Sequence, residues 1–229
     1  MKKNILIPVV HAEGSKELIF QNIEKVVNAG LDHVFLISHT KYQHRELLEI
    51  SKEVKEKYPE LKVGCNFLDL SSLVVFNELK SDISHLDMIW LDNSYIGLYD
   101  REQEAEILFK SWIENDFKGL YFGGVAFKGC EQPISLEAAT ELAKHRMSVV
   151  TTSGVSTGNK PSVEKIITMK RVLGSSDLAI ASGISIDNIN DYKAFATYFI
   201  VSSSIEKEFG VLDQEKLNEL AKEVLPEGR

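Results

Sequence analysis

The chain has 229 residues, of which 44% are hydrophobic and 26% charged, and its formal net charge is −8. That length is close to the roughly 250 residues of one (β/α)8 barrel, so a single domain over 1–229 is expected. The acidic balance argues against nucleic acid, which needs a concentrated basic patch. No run approaches the ~18 apolar residues of a membrane span.

The opening MKKNILIPVVHAEG carries an apolar run too short for a signal-peptide core, and no small-residue cleavage site follows. Segment 4–11 therefore reads as a first strand, in a protein expected in the cytoplasm. Helical spacing follows over 15–30, with Leu18, Ile19, Ile23, Val26 and Val27 on one face and Gly30 as a stop. Strands are predicted over 33–39, 62–67, 87–93, 119–125, 148–154, 178–185 and 198–205. They are apolar and β-branched with little alternation, as strands buried on both faces should be. Helices are predicted over 42–58, 71–81, 101–115, 135–145, 161–174 and 213–225, with a shorter one over 187–195. The valines of 71–81 suit a strand as well. From the first strand to the last the spacing is about 28 residues per unit, room for a strand, a helix and two loops. Cys65 and Cys130 stand in no metal-ligand spacing and read as reduced thiols.

Eight strands alternating with helices admit a closed barrel or an open doubly wound sheet. The open sheet usually carries G-x-G-x-x-G at its first turn, where this chain has HAEGSKE with one glycine. The expected fold is therefore α/β, a (β/α)8 TIM barrel of the ribulose-phosphate-binding kind.

In such a barrel the C-terminal ends of the strands face the active site. The ends of the last two strands, around Ser182 and Gly183 and around Ser202 and Ser203, are small and polar. Backbone amides there suit an anion, with Asp187 expected to cap a helix beginning at Asn188. The glycine- and hydroxyl-rich loop 153–161, with Gly158 and Lys160, is a third wall for a phosphate. Four residues are candidates for chemistry. Lys128 follows strand 5 and suits a Schiff base, an enolate partner, a point charge for ligand, or a surface position. Asp92 suits a general base or, with Asn93 and Asn66, part of a metal site. His11 and His39 end neighbouring strands and suit proton transfer. Asn66, Thr152 and Thr157 are expected to contact substrate. No H-E-x-x-H, P-loop or G-x-S-x-G spacing occurs, and neither cofactor nor resident metal is expected.

The run VTTSGVSTGNKPSVEKI (150–166), then ASGISIDNI (181–189) and YFIVSSSIEKEFGVLDQEKLNEL (198–220), resembles the corresponding loops of the BtpA/SgcQ family. Segments VVH (9–11), VGCNFL (63–68) and VAFKG (125–129) extend the resemblance upstream. It implies a phosphate-binding barrel with His11, Asn66, Lys128, Thr157, Gly158, Ser182, Gly183 and Asn188 on the family's pattern. The chain departs from that pattern in four places. A proline-rich loop is AEGS (12–15), a Glu-Asn pair is Ser38–His39, a strand 8 glycine is Ser202, and a lysine is near Glu206.

These readings converge on a protein binding a phosphorylated sugar or ribonucleotide-like metabolite, with isomerase, epimerase or aldolase-type lyase chemistry. A non-enzymatic sensor or assembly factor and a phosphoribosyl transferase are the alternatives. Barrels often pair through outer helices, so a homodimer is also an expectation.

Overall fold

The computed structural model describes residues 3–156 and 158–225. Eight parallel strands close into a barrel in the order of the chain: β1 (Ile5–His11), β2 (His33–Ile37), β3 (Lys62–Asn66), β4 (Met88–Leu91), β5 (Leu120–Gly124), β6 (Val149–Thr152), β7 (Asp177–Ala181) and β8 (Tyr198–Val201). β1 pairs with β2 on one side and β8 on the other, which removes every sheet edge and excludes the open alternative.

The outer layer holds α1 (Lys16–Asn28), α2 (His44–Lys57), α3 (Val75–Leu79), α4 (Glu102–Asn115), α5 (Leu136–Ala143), α6 (Val163–Leu173) and α7 (Gln214–Lys222). Side-chain oxygens start several of them. Ser15 accepts from the Leu18 amide, Ser162 from Lys165, and Asp213 from Glu215 and Lys216, satisfying amides that the first turn leaves orphaned.

Two expected helices differ. The segment expected as helix 71–81 is helical only over Val75–Leu79 and continues as a 3-10 turn to Ile83. The expected helix 187–195 is a three-residue 3-10 turn, Ile189–Asp191. Asn188, not Asp187, precedes that turn, and it makes no side-chain cap. Its Oδ1 accepts from the Ser185 amide and its Nδ2 donates to the Gly183 carbonyl. This local bonding competes with helix formation. After β8 the chain adds a hairpin that was not expected, β9 (Glu206–Glu208) with β10 (Val211–Leu212).

Inside the barrel, Phe35, Trp90, Phe122, Phe127 and Tyr198 are buried with the alternate residues of their neighbours. The Phe35 and Phe122 rings meet edge-on at 5.3 Å, and Phe122 meets Tyr198 at 5.1 Å. These rings close the barrel beneath its C-terminal rim. A second apolar layer, including Leu36, Ile89, Val150 and Phe199, packs outward against the helices. Strand period 2 makes the inward set run on to His11, Asn66 and Ser202 at the rim.

Candidate functional site

A cavity of about 1260 Å³ opens at the C-terminal ends of the strands. It brings together His11, His39, Asp92 and Lys128 with Gly158, Ser182, Gly183, Ser202 and Ser203. Two other expected residues take different places. Asn66 is buried behind the wall and donates from Nδ2 to Asp92 Oδ1 at 3.0 Å. Thr152 falls in the outward register of β6, fully buried, with its hydroxyl 3.4 Å from the Ala126 carbonyl, so it does not line the cavity. Thr157 lies outside the described residues.

Backbone geometry explains where Asp92 and Lys128 stand. A Cβ on Gly124 would come within 1.8 Å of the Asp92 carbonyl oxygen, so only glycine lets β5 approach the end of β4 this closely. After β5 the chain turns through Ala126 at φ +50°, and the Lys128 amide donates to Ser153 Oγ at 2.7 Å. Lys165, reaching in from α6, donates to the carbonyls of Ala126 and Ser153 at 2.6 and 2.8 Å. That buried ammonium holds the two loops that carry the site together, and burial brings its pKa down to about 8.

The electrostatics set Asp92 and Lys128 against each other. Burial pushes the Asp92 carboxyl up, against the opposing effects of Asn66, Lys128 and His39. Burial pulls the Lys128 ammonium down, with Asp92 opposing. A carboxyl raised and an amine lowered in one cleft are moved toward the range where both can exchange protons near neutrality. Trp90 closes the floor beneath them, with its buried Nε1–H making no hydrogen bond among the described residues.

His11 and His39 stack with centroids 5.1 Å apart. The His39 amide donates to Glu13 Oε1, and Thr40 Oγ1 donates to Glu13 Oε2 at 3.1 Å, so Glu13 fixes the loop bearing His39. His11 is brought down to about 4, chiefly by burial and then by His39, so it is the neutral imidazole at physiological pH. Its Nε2 lies 2.8 Å from Ser202 Oγ and 3.7 Å from Glu206 Oε1.

The loops that follow β6 and β7 touch one another. A Cβ on Gly183, at φ +74°, would come within 2.2 Å of the Lys160 amide nitrogen. Glycine is thus needed there for loop 153–161 to close on the end of β7. The Gly158 amide donates to Ser182 Oγ at 3.1 Å, and Tyr192 Oη donates to the Pro161 carbonyl at 2.7 Å. Lys160 lines the cavity and lies 3.7 Å from Asp191. The three-residue turn after Gly183 contributes no helix dipole, so the polar groups this corner offers are loop amides, hydroxyls and Lys160.

Glu206, in sequence terms only a departure from a family pattern, lines the cavity with its side chain 8% exposed. The one sequence signal for the hairpin is Gly210, a turn residue between charged 206–208 and apolar Val211–Leu212.

Solved structures share this architecture. The tryptophan synthase alpha chain from Legionella pneumophila has a TM-score of 0.71 at 15% identity, over 97% of this chain and 92% of that one. In fold, the chain is a (β/α)8 TIM barrel. Phosphoribosyl anthranilate isomerase from Thermus thermophilus matches this barrel with a TM-score of 0.62 at 13% identity, over 95% of this chain and 97% of that one. The N-(5'-phosphoribosyl)anthranilate isomerase from Pyrococcus furiosus matches it at 0.60 and 15%, over 96% and 98%. No protein-family model matches the chain, and neither does any curated protein. Among the described residues no helix is long and apolar enough to cross a membrane.

Proposed function

We propose that this barrel is a cytoplasmic enzyme of the BtpA/SgcQ type acting on a phosphorylated small metabolite, a sugar phosphate or ribonucleotide-like compound. The phosphate binds between loop 153–161, Gly183 and Ser203, with Lys160 supplying charge. The observation that carries the reading is one cavity holding both this corner and the Asp92–Lys128 pair. The barrel neighbours lend support, since two of them are named for a phosphoribosyl-bearing substrate.

At the reacting end, Asp92 takes a proton from a carbon or hydroxyl of the substrate. Lys128 stabilises the negative charge that develops on the neighbouring oxygen. Asn66 orients the carboxyl through its 3.0 Å bond, and His39 stands where it can return a proton. This is the chemistry of isomerisation, epimerisation or aldol cleavage. Mass spectrometry of small molecules that co-purify with the protein tests the substrate class, followed by a turnover screen over sugar phosphates. A phosphorylated metabolite that is converted supports the reading. Co-purification of only non-phosphorylated compounds, with no turnover in the screen, contradicts it.

A further inference from the structure

The flank of the cavity formed by β8 and β1 differs in chemistry from the proposed phosphate corner. Glu206 Oε1 accepts from Ser202 Oγ and from the Gly210 amide, each at a long 3.4 Å. Among the described residues, no lysine or arginine is paired with this carboxylate; its one ion-pair neighbour is His11. Ser202 has one proton. When it donates to Glu206, it accepts from His11 Nε2–H, which makes Nδ1 the lone-pair nitrogen of the ring. Nδ1 is buried and has no partner among the described residues. The flank therefore presents to the cavity a carboxylate that no lysine or arginine among the described residues balances.

The flank is also firmly held. Asn22 of α1, itself buried, donates to the Gly210 carbonyl at 2.8 Å and accepts from the Leu212 amide at 3.0 Å. Lys25 Nζ donates to the Leu212 carbonyl and Lys216 Nζ to the Glu206 carbonyl, at 2.6 and 2.7 Å. Both ammonium groups bind backbone on the hairpin. At its tip Phe209, 63% exposed, sets its ring 4.7 Å from that of His11 and lines the same cavity as Glu206.

We infer that Glu206, with Ser202, His11 and Phe209, forms a subsite for a primary amine on the ligand, so that the metabolite is an amino-bearing phosphorylated compound. An ammonium donates to Glu206 and lies against the Phe209 face, supplying the missing positive charge. A phosphate on this flank would meet the carboxylate at close range, so charge alone directs the ligand with its phosphate toward Lys160 and its amine toward Glu206. The inference rests on the proposed phosphate reading for its second anchor point, and the test separates the two.

Calorimetry compares glucosamine 6-phosphate with glucose 6-phosphate, which differ by an amine in place of a hydroxyl, at about pH 6.5, below the usual range of a primary amine. The amino compound is expected to bind the wild-type protein at least about tenfold more tightly, the scale of one charge-assisted hydrogen bond. In Glu206→Gln that preference falls to within about twofold, while inorganic phosphate binds as in wild type. Equal affinity, or no binding, of the two sugar phosphates in a wild type that does bind inorganic phosphate overturns the amine subsite whether or not the variant folds. So does a preference that survives in Glu206→Gln. Failure of inorganic phosphate to bind contradicts the phosphate reading instead. The amine subsite is then read from glucosamine against glucose, with the same two outcomes.

Discussion

His11 Nε2 and Ser202 Oγ stand 2.8 Å apart although 191 residues separate them in the chain. The bond joins the first strand to the last at the rim, where the barrel closes. It also ties a neutral histidine to the loop that carries Glu206.

The depressed His11 pKa makes this contact pH-sensitive. Its folded value near 4 lies below the ordinary 6.5. The folded state therefore binds fewer protons than the unfolded one, and the stability this contributes is complete above pH 6.5 and lost as pH falls toward 4. The full shift corresponds to about 3 kcal/mol. Glu206, raised by burial, acts in the opposite sense, contributing stability at low pH that is lost as pH rises through its folded value. Urea melts of wild type and His11→Asn at pH 7.5 and 4.5 isolate the histidine: the wild type is expected to lose more of its stability than the variant.

The Asn66 bond to Asp92 lowers a carboxyl that burial raises. Asn66→Ala should therefore move the Asp92 titration further up. Carbon-13 NMR of labelled aspartate follows that carboxyl directly. Any pH–rate profile should show its acid limb moving the same way.

Lys128→Met keeps the length of the side chain and removes its charge. If Lys128 stabilises a developing oxyanion, turnover of the identified substrate falls at least about a hundredfold. The affinity for inorganic phosphate should hardly change, because its proposed partners are the loop amides, Ser203 and Lys160. A competing role as the phosphate's own counter-charge would lower both.

Asn22→Leu tests the anchoring of the hairpin. It strands the Gly210 carbonyl and the Leu212 amide, at a cost of about 1–3 kcal/mol for each group left buried without a partner. Hydrogen exchange across 206–212 should quicken well before exchange in β1 or β8.

Much of this was legible in the chain. The eight buried strands stand out because parallel strands covered on both faces read as unbroken apolar runs, as Tyr198–Val201 does before its serines. The polar strand ends pointed to the rim because period 2 carries His11 and Asp92 there. What stayed hidden depends on register or on contacts distant in sequence. Thr152 and Thr151 are indistinguishable in composition, and one residue of register decides which faces inward. The helix expected over 187–195 has helix-like spacing, but Asn188 satisfies the Ser185 amide and the Gly183 carbonyl instead. Asn22 occupies a buried position on the apolar face of α1, where a polar residue signals a partner without naming it. Its partners are Gly210 and Leu212.

The central claim is that the corner between loop 153–161, Gly183 and Ser203 holds the ligand's phosphate. It is tested most directly by a crystal structure of the protein saturated with inorganic phosphate. The account predicts one phosphate in that corner, bonded to loop amides and the Ser203 hydroxyl with Lys160 within reach. It also predicts loss of that phosphate in Gly183→Ala, whose added Cβ drives the Lys160 backbone away. A corner that stays empty at saturation, or a phosphate bound instead beside Glu206, contradicts it.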